Sequence, residues 1–246
     1  MTTRAVIGGT GTERWHGAEM IETRQLANQF GRCSAPAECI EVAGQRCWFL
    51  SRHGPGHDVA PHRINYRANL RGLADLGVRQ IVALNAVGII GDSRVCGQLA
   101  MPSQLIDYTW GRDNTFFDGV TAPLQHVSFD TPYSLSLCNS LRRAARQAQV
   151  TLHDGGVMAV TQGPRLESAA EVDRLERDGA RLIGMTGMPE AVLARELDID
   201  YASIGLVVNV AAGRGDGEDI HAQLELHVAS ARAQAQTLLQ AWLMAE

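Results

Sequence analysis

The chain has 246 residues, of which 45% are hydrophobic, and a formal net charge of −5. A chain of this length can bury one large core, so we expect a single domain over residues 1–246. All 22 basic residues are Arg and none is Lys; this excludes a Walker A loop, a Schiff-base enzyme and a Lys general base, and an acidic chain without a basic block is a poor binder of nucleic acid.

The five Cys residues include no C-x-x-C pair, so neither a disulfide framework nor a Cys-based zinc site is indicated. No apolar run reaches the roughly 18 residues that a membrane helix needs. The first residues, MTTRAVIGGTG, run into a predicted strand and do not read as a signal peptide. We therefore expect a cytoplasmic protein with no membrane partner.

The first predicted strand, at residues 5–7, leads into the glycine-rich turn Gly8-Gly9-Thr10-Gly11. Backbone N–H groups and the Thr10 hydroxyl of such a turn can face an anion. A dinucleotide fingerprint would need a further glycine at the position of Arg14, so a Rossmann site is not indicated. A plain tight turn is the simpler alternative.

A second apolar run, at residues 47–50, enters the segment 51–70, which reads SRHGPGHDVAPHRINYRANL. Arg52 and His53 follow directly after this predicted strand. Loops at strand ends are exposed but held by a rigid scaffold, and an Arg fork beside an imidazole can hold a phosphate-sized anion. A solvated basic loop is the alternative interpretation.

Apolar residues at helical spacing from Arg63 predict a helix that ends near Gly77. Residues 80–84 then read as a buried strand. We interpret the following Asn85-Ala86-Val87-Gly88 as a second turn that presents backbone N–H groups to an anion.

The middle of the chain has a weaker pattern. Residues 95–108 predict two short strands around Pro102, whereas residues 112–130 show no period. Long aperiodic loops in compact domains are usually functional or mobile. An amphipathic helix with Arg on its polar face is predicted for residues 135–148.

The next predicted strand, at residues 156–161, leads into Gln162-Gly163-Pro164-Arg165-Leu166-Glu167. The pair Ser168 and Glu171 forms a capping box, which starts a helix directly after Glu167. The field of a helix N-terminus helps to keep Glu167 ionised. A carboxylate that only caps the helix is an equally good explanation.

Two further strand ends carry polar residues. A predicted strand at residues 181–184 leads into Met185-Thr186-Gly187-Met188-Pro189-Glu190, and a hydroxyl just before a helix that begins with Pro suits an anion, although capping alone would explain it. A continuous apolar strand at residues 201–208 then reaches Asn209, which could be a simple turn residue. A glycine-rich loop at 211–217 and a helix from about Asp219 follow.

Strands and helices alternate throughout the chain. This pattern predicts an α/β fold with a central mixed β-sheet flanked by helices. Five stretches, near residues 10, 52, 86, 166 and 186, end strands with small, hydroxyl or cationic groups, and a common sheet would bring them together.

Three segments carry a family resemblance: His-Gly-x-x-His at 53–57 with the later NYRANL, QGPRLES at 162–168, and GMTGMPEAVLARELDI at 184–199. With the glycine-rich turn at 8–11, they resemble the trimeric purine nucleoside phosphorylases, and most closely the bacterial methylthioinosine phosphorylase branch of that family.

The resemblance implies a site for inorganic phosphate as a co-substrate, with no metal or other cofactor. Positioning and electrostatics would then carry the cleavage, since phosphate attacks the anomeric carbon while the purine leaves. The residues implied to hold phosphate are Thr10, Arg52, His53, the Ala86 N–H and Thr186.

The resemblance also implies a purine site. Asn209 would donate to N7 and bond a 6-oxygen, and Glu167 would accept from the N1–H that hypoxanthine has and adenine lacks. The adenosine-type branch has Asp and a small residue at these two positions, so a 6-oxopurine is expected. Met185 would lie under the ribose. The other residues implied to contact ribose or base are Ile183, Leu166, Asn85, His221 and His126.

Two of these histidines carry separate expectations. His126 would reach across a subunit interface, because family members of this length form homotrimers. His221 aligns with the His that holds a 5′-hydroxyl in ordinary purine nucleoside phosphorylases, which argues against a 5′-methylthio group. A surface histidine is the alternative in both places.

The expected reaction is a pentosyl transfer, in which S-methyl-5′-thioinosine and phosphate give hypoxanthine and 5-methylthioribose 1-phosphate. A 6-oxopurine phosphorylase acting on inosine or guanosine is the main alternative, and a methylthioadenosine phosphorylase is less favoured. A nucleosidase that uses water, a purine-binding module without catalysis, and a metal cluster of His53, His57 and His62 remain open as rival readings.

Overall fold

A computed structural model describes residues 2–215 and 220–245, with the side chains of residues 220–224 outside the description. Within this range the chain forms thirteen strands and five α-helices. The strands are β1 (Arg4–Gly8), β2 (Glu19–Arg24), β3 (Ala27–Asn28), β4 (Gly31–Arg32), β5 (Ala37–Val42), β6 (Gln45–Ser51), β7 (Gln80–Ile89), β8 (Leu99–Met101), β9 (Gln104–Asp107), β10 (Leu152–Asp154), β11 (Val157–Val160), β12 (Ala180–Gly184) and β13 (Asp200–Val210). The helices are α1 (Tyr66–Asp75), α2 (Leu135–Gln147), α3 (Ala169–Arg177), α4 (Gly187–Glu196) and α5 (Ile220–Met244).

Eleven strands share one mixed sheet, which confirms the predicted fold class. Its main path runs β10-β8-β13-β7-β1-β6-β5-β2, and β12, β11 and β9 branch from the end of β7. The four central strands β13, β7, β1 and β6 are parallel, whereas β5 and β2 add an antiparallel edge. The carboxyl ends of the central strands therefore lie along one edge, where α/β proteins place their sites.

The central strands are buried because helices cover them. Every residue of β13 except the first is buried, and β1 is buried beyond its first residue. Such strands read as continuous apolar runs and not as alternating patterns. Helix α5 packs on β13 and against α2, while α1 packs against α4, which also contacts β13.

The predicted turn at residues 85–88 is wrong, because β7 continues to Ile89. Strand β13 pairs with β7 in parallel as far as Val210, and β12 adds antiparallel pairing at Gly88 and Ile89. Hydrogen bonding on both sides keeps the small residues extended. Asn209 likewise lies inside β13, at a shift in the register between β13 and β7.

Capping side chains explain where two of the helices begin. Ser168 and Glu171 form both hydrogen bonds of a capping box at the start of α3. The Asn65 side chain accepts the Ala68 N–H, so α1 begins three residues after Arg63. Residues 108–133 contain neither helix nor strand, as the missing periodicity predicted. None of the helices searched among the described residues has the length and hydropathy to span a bilayer.

Candidate active site

A cavity of about 430 Å³ opens at the carboxyl ends of the central strands. Its wall contains residues from β7, β12 and β13 and from the loops after β1, β6 and β11. Ten of the thirteen predicted site residues line it: Thr10, Arg52, His53, Ala86, Leu166, Glu167, Ile183, Met185, Thr186 and Asn209.

Arg52 is fully buried. It is held by the carboxylate of Glu190, a residue to which the sequence analysis assigned no role. Its Nε donates to Glu190 Oε1 at 2.5 Å and its Nη2 to Glu190 Oε2 at 3.0 Å, while Nη1 donates to the Leu84 carbonyl at 2.8 Å. Burial acts to lower the pKa of Arg52, but the charge and hydrogen bonds of Glu190 prevail and raise it. With respect to the residues described, two of the five guanidinium N–H groups remain available to an anion.

Close packing around Arg52 explains one glycine of the N-terminal turn. A Cβ on Gly9 would lie 2.5 Å from Arg52 Nη1 and 2.8 Å from the Leu84 oxygen. The turn itself is closed by Thr12, whose N–H donates to the Gly9 oxygen at 2.9 Å and whose Oγ1 accepts the Gly9 N–H at 2.9 Å. Thr10 therefore projects from a short, self-bonded loop beside the guanidinium.

His53 lies next to Arg52 with only 5% of its surface exposed. Its Nδ1 donates to the Val59 carbonyl at 2.8 Å, which leaves Nε2 unprotonated in the neutral ring. Burial, and then the charge of Arg52, lower the pKa of His53 to about 4. The imidazole is therefore neutral near pH 7 and offers a lone pair rather than a charge.

Thr186 ends the loop before α4 and belongs to a buried polar chain. Its Oγ1 donates to Asn85 Oδ1 at 2.7 Å, and Asn85 Nδ2 donates to Ser203 Oγ at 2.7 Å. The Thr186 hydroxyl makes no capping bond to the helix, and a hydroxyl hydrogen can rotate toward an anion. Asn85 thus lies behind the cavity wall, where it orients Thr186, and does not line the cavity.

Asn209 and Glu167 both line the cavity. Asn209 Nδ2 donates to the Val210 carbonyl at 2.7 Å, which fixes the amide plane. One N–H and the side-chain oxygen have no partner among the described side chains. Thr161 Oγ1 donates to Glu167 Oε1 at 2.6 Å. This bond holds the carboxylate in place, while Oε2 keeps its acceptor sites.

Met185 packs against the loop that carries Glu167. Gly163 in that loop has a φ of +60°, and a Cβ there would lie 2.5 Å from Met185 Sδ. Glycine is therefore required for the loop to close over the methionine.

Arg112 lies in the loop of residues 108–133, hereafter called the long loop. Its side chain connects the segment of Met185 to the segment of Gln162. Arg112 Nη1 donates to the carbonyls of Met185 at 2.9 Å and Met188 at 2.6 Å, and Nη2 to those of Thr161 at 3.3 Å and Gln162 at 2.9 Å. Burial lowers the pKa of Arg112. The sequence pattern did not indicate a role for Arg112, because its hydrogen-bond partners are main-chain oxygens distant in sequence.

Besides Asn85, two predicted site residues are not placed in the cavity. His126 is exposed in the long loop and does not line the cavity of this chain. The side chain of His221 lies outside the described residues, so its predicted role stays a prediction. The roles assigned to the lining residues are likewise predictions that their positions permit.

The structure does not support the rival metal cluster of His53, His57 and His62. The ring centroids of His53 and His57 lie 4.6 Å apart, and each Nδ1 has a protein partner, the Val59 oxygen and Glu13 respectively. Among the residues that the structure describes, no group of three His, Cys, Asp or Glu side chains is arranged around a common ion position.

Comparisons with known proteins extend along almost the whole chain. The model of the Phosphorylase superfamily matches residues 3–243. A probable S-methyl-5′-thioinosine phosphorylase of Xylella fastidiosa is 50% identical over 216 residues, covering 88% of this chain and 87% of that protein. A probable 6-oxopurine nucleoside phosphorylase of Thermococcus kodakarensis is 39% identical over 225 residues, covering 89% and 84%.

Solved structures give the same picture of the fold. The methylthioadenosine phosphorylase of Schistosoma mansoni in complex with adenine superposes with a TM-score of 0.92 and is 28% identical in sequence. The alignment covers 99% of this chain and 91% of that protein.

Proposed function

Because this chain belongs to the phosphorylase superfamily, we propose that it is a purine nucleoside phosphorylase that acts on a 6-oxopurine methylthionucleoside. The reaction is the attack of phosphate on S-methyl-5′-thioinosine, which gives hypoxanthine and 5-methylthioribose 1-phosphate. The observation that carries the proposal is that one cavity is lined both by Arg52 with two threonine hydroxyls and by the pair Glu167 and Asn209. The first set suits a phosphate, and the second suits a 6-oxopurine.

The phosphate half combines donors of different kinds. Arg52 keeps two free N–H groups, and the hydroxyls of Thr10 and Thr186 line the same space. Charge-assisted hydrogen bonds to an anion are stronger than bonds between neutral partners. A phosphate held here has its attacking oxygen fixed, which removes part of the entropic cost of the reaction.

The base half selects by hydrogen bonding. Glu167 as a carboxylate only accepts, so it matches an N1–H and not the bare N1 of adenine. Asn209 has a free N–H for N7, where negative charge develops as the purine leaves. Stabilising charge that appears only in the transition state accelerates the chemical step.

A phosphorylase for ordinary 6-oxopurine nucleosides is the second candidate, and the named relative from Thermococcus kodakarensis favours it. The two functions share the base and phosphate sites and differ at the 5′ end of the ribose. His221 would favour inosine over the methylthio substrate.

The deciding experiment compares phosphorolysis of S-methyl-5′-thioinosine, inosine, 5′-methylthioadenosine and adenosine by the same preparation. We expect the highest kcat/KM for the methylthio 6-oxopurine substrate. Cleavage at an unchanged rate without phosphate would mean a nucleosidase, and nucleoside binding without release of base would mean a binding module. A preference for adenosine-type substrates would contradict the base site.

We further propose a homotrimer in the cytoplasm that needs no cofactor besides the co-substrate phosphate and has neither nucleic acid nor membrane as a partner. The family resemblance supports the trimer, and the absence of Lys and the net charge of −5 argue against nucleic acid. Full activity after dialysis against EDTA is expected, and activity that returns only with added metal ion would contradict it.

A further inference from the structure

The phosphate half of the cavity has little net positive charge. The charge of Arg52 is matched by the buried carboxylate of Glu190, and His53 is neutral near pH 7 because its pKa is lowered to about 4. The chain has no Lys, and two carboxylates, Glu167 and Asp58, also line the cavity. A phosphate dianion bound there needs compensation from another group.

His57 is the remaining group in the described part of the wall that can become a cation. Its Nδ1 lies 3.0 Å from Glu13 Oε1, and the same oxygen accepts the Gly11 N–H at 2.8 Å. Because a carboxylate only accepts, the Nδ1 of His57 carries a proton, and Nε2 is left facing Thr10 Oγ1 at 3.5 Å. Glu13 thus sets both the tautomer and the direction of the ring.

The protonation state of His57 decides what Thr10 can offer to phosphate. In the neutral ring Nε2 is an acceptor, so the Thr10 hydroxyl donates to it and turns its own lone pairs toward the anion. In the imidazolium Nε2–H donates to Oγ1, and the hydroxyl hydrogen is free to bond phosphate. The imidazolium also adds the missing positive charge, so phosphate binding and protonation of His57 favour each other.

Within the described ranges 2–215 and 225–245, the other side chains around His57 add little positive charge to the cavity. Glu13 and Asp58 are acidic, and His53 is neutral. Arg232 of α5 donates to the Gly11 oxygen at 3.4 Å, on the loop that carries Glu13, and does not line the cavity. Among the residues that the structure describes, the charged or titratable groups around the ring are thus Glu13, Arg52 with Glu190, His53, Asp58 and Arg232.

We propose that His57, oriented by Glu13, is a further phosphate-binding residue that takes up a proton from solvent when the phosphate dianion binds. The inference rests on the proposed function in that phosphate is the ligand of this half of the cavity. It assigns to Thr10 a role as the donor that His57 switches on.

Proton uptake is the direct test. Calorimetric titration of the full chain with inorganic phosphate, in buffers of different ionisation enthalpy at about pH 8, gives the protons bound per phosphate. The His57→Asn variant lacks the ionisable imidazole. Asn tolerates the positive φ of this position, +55°. We expect the wild type to take up measurably more protons per phosphate than the variant, since the ionisation of phosphate itself is common to both. Equal uptake would overturn the proposal.

Kinetics supply a second readout that a structural role would not give. We expect His57→Asn to raise the KM for phosphate about tenfold, the loss of one charge-assisted bond, with the KM for nucleoside within about twofold. Glu13→Gln should act in the same direction. His16→Asn, an exposed histidine in the loop that follows β1, is the matched control and should change neither KM.

The effect should also pass through Thr10. In a Thr10→Val background, His57→Asn should raise the KM for phosphate much less than in the wild type, because the switched hydroxyl is absent. A parallel rise in both KM values would show a loop effect and overturn the proposal. A wild type that binds no phosphate would overturn the proposed function as well, whereas phosphorolysis that is unchanged in His57→Asn overturns this inference alone.

Discussion

At the scale of single residues, the proposed selectivity for a 6-oxopurine rests on two side chains with opposite hydrogen-bonding character. Glu167 can only accept, and Asn209 can donate through its free N–H. A site built to bond a substrate N–H rejects a base that lacks it, because a carboxylate covered by the bound base is then left unmatched. The discrimination therefore resides in chemistry that substitution can invert.

The double variant Asn209→Asp with Glu167→Ser should move the preference toward 6-aminopurine nucleosides. The aspartate can accept from a 6-amino group, and the serine no longer demands an N1–H. We expect the ratio of kcat/KM for methylthioinosine over methylthioadenosine to fall by about 100-fold or more. Thr151→Ser, at an exposed position away from the cavity, is the control. Unchanged selectivity would contradict the base-site assignment.

His53 ties stability to pH. Its pKa is about 4 in the folded chain and near 6.5 when unfolded, so between these values the unfolded state binds the proton more readily. Stability therefore falls as pH falls from about 6.5 toward 4. His53→Asn should lack this part of the decline, on the order of 2 kcal/mol. Urea unfolding of both proteins at pH 7 and pH 5 measures the difference, and parallel declines would contradict it.

At the scale of elements, the site depends on ties between parts of the chain that are distant in sequence. The pair Arg52 and Glu190 joins the end of β6 to α4, and Tyr201 of β13 donates to the same carboxylate at 3.0 Å. Three elements thus converge on one buried charge pair. Removing one member leaves the other charge buried without a partner.

Glu190→Gln should cost about 3 kcal/mol of unfolding free energy, since an unpaired buried Arg52 remains. The measurement is the midpoint of denaturant unfolding at pH 7, with no nucleoside or phosphate present. Glu196→Gln, in the last turn of the same helix, bonds loop residues Thr115 and Phe116 instead and serves as a comparison of smaller effect. Equal losses in the two variants would contradict a special role for the Arg52 pair.

Arg112 joins the long loop to both halves of the cavity through main-chain carbonyls. Arg112→Ala should loosen the Met185 and Gln162 segments together and raise the KM for nucleoside about tenfold, with a smaller effect on phosphate. Arg112→Lys should recover part of the loss, because an ammonium can reach some of the same oxygens. Steady-state kinetics with each co-substrate varied in turn measure the split. Equal effects on both KM values would contradict it.

These ties mark the limit of what the sequence revealed. Arg52, Thr186 and Glu167 follow predicted strands, and their side-chain chemistry identified them as candidates. Glu190 was missed because a carboxylate in the first turn of a helix reads as a favourable charge, and Arg112 because an aperiodic loop gives no register. The turn predicted at Asn85 was wrong because small residues suit both a turn and a buried strand, and only pairing with β13 and β12 decides between them.

At the scale of the whole molecule, the exposed surface of the long loop bears on assembly. Trp110, Val120 and Leu124 expose 73%, 90% and 67% of their surfaces, and the exposed His126 lies in the same loop. Large apolar side chains exposed in one segment are common at protein–protein contacts. In a ring of three chains the same surface would contribute to each interface. The proposed contact of His126 with a neighbouring chain's cavity requires such an interface.

The trimer predicts a solution mass about three times the 26.6 kDa of one chain, and complementation between two defective chains. Asn209→Ala removes the base site of its own chain, while His126→Ala affects only the neighbour's site. If His126 crosses the interface, mixed trimers made by co-expression contain some sites with both residues intact, about one quarter at equal amounts. Activity above that of either variant alone is expected. A fully active monomer by light scattering, or mixed protein no more active than the separate variants, would remove His126 from the site.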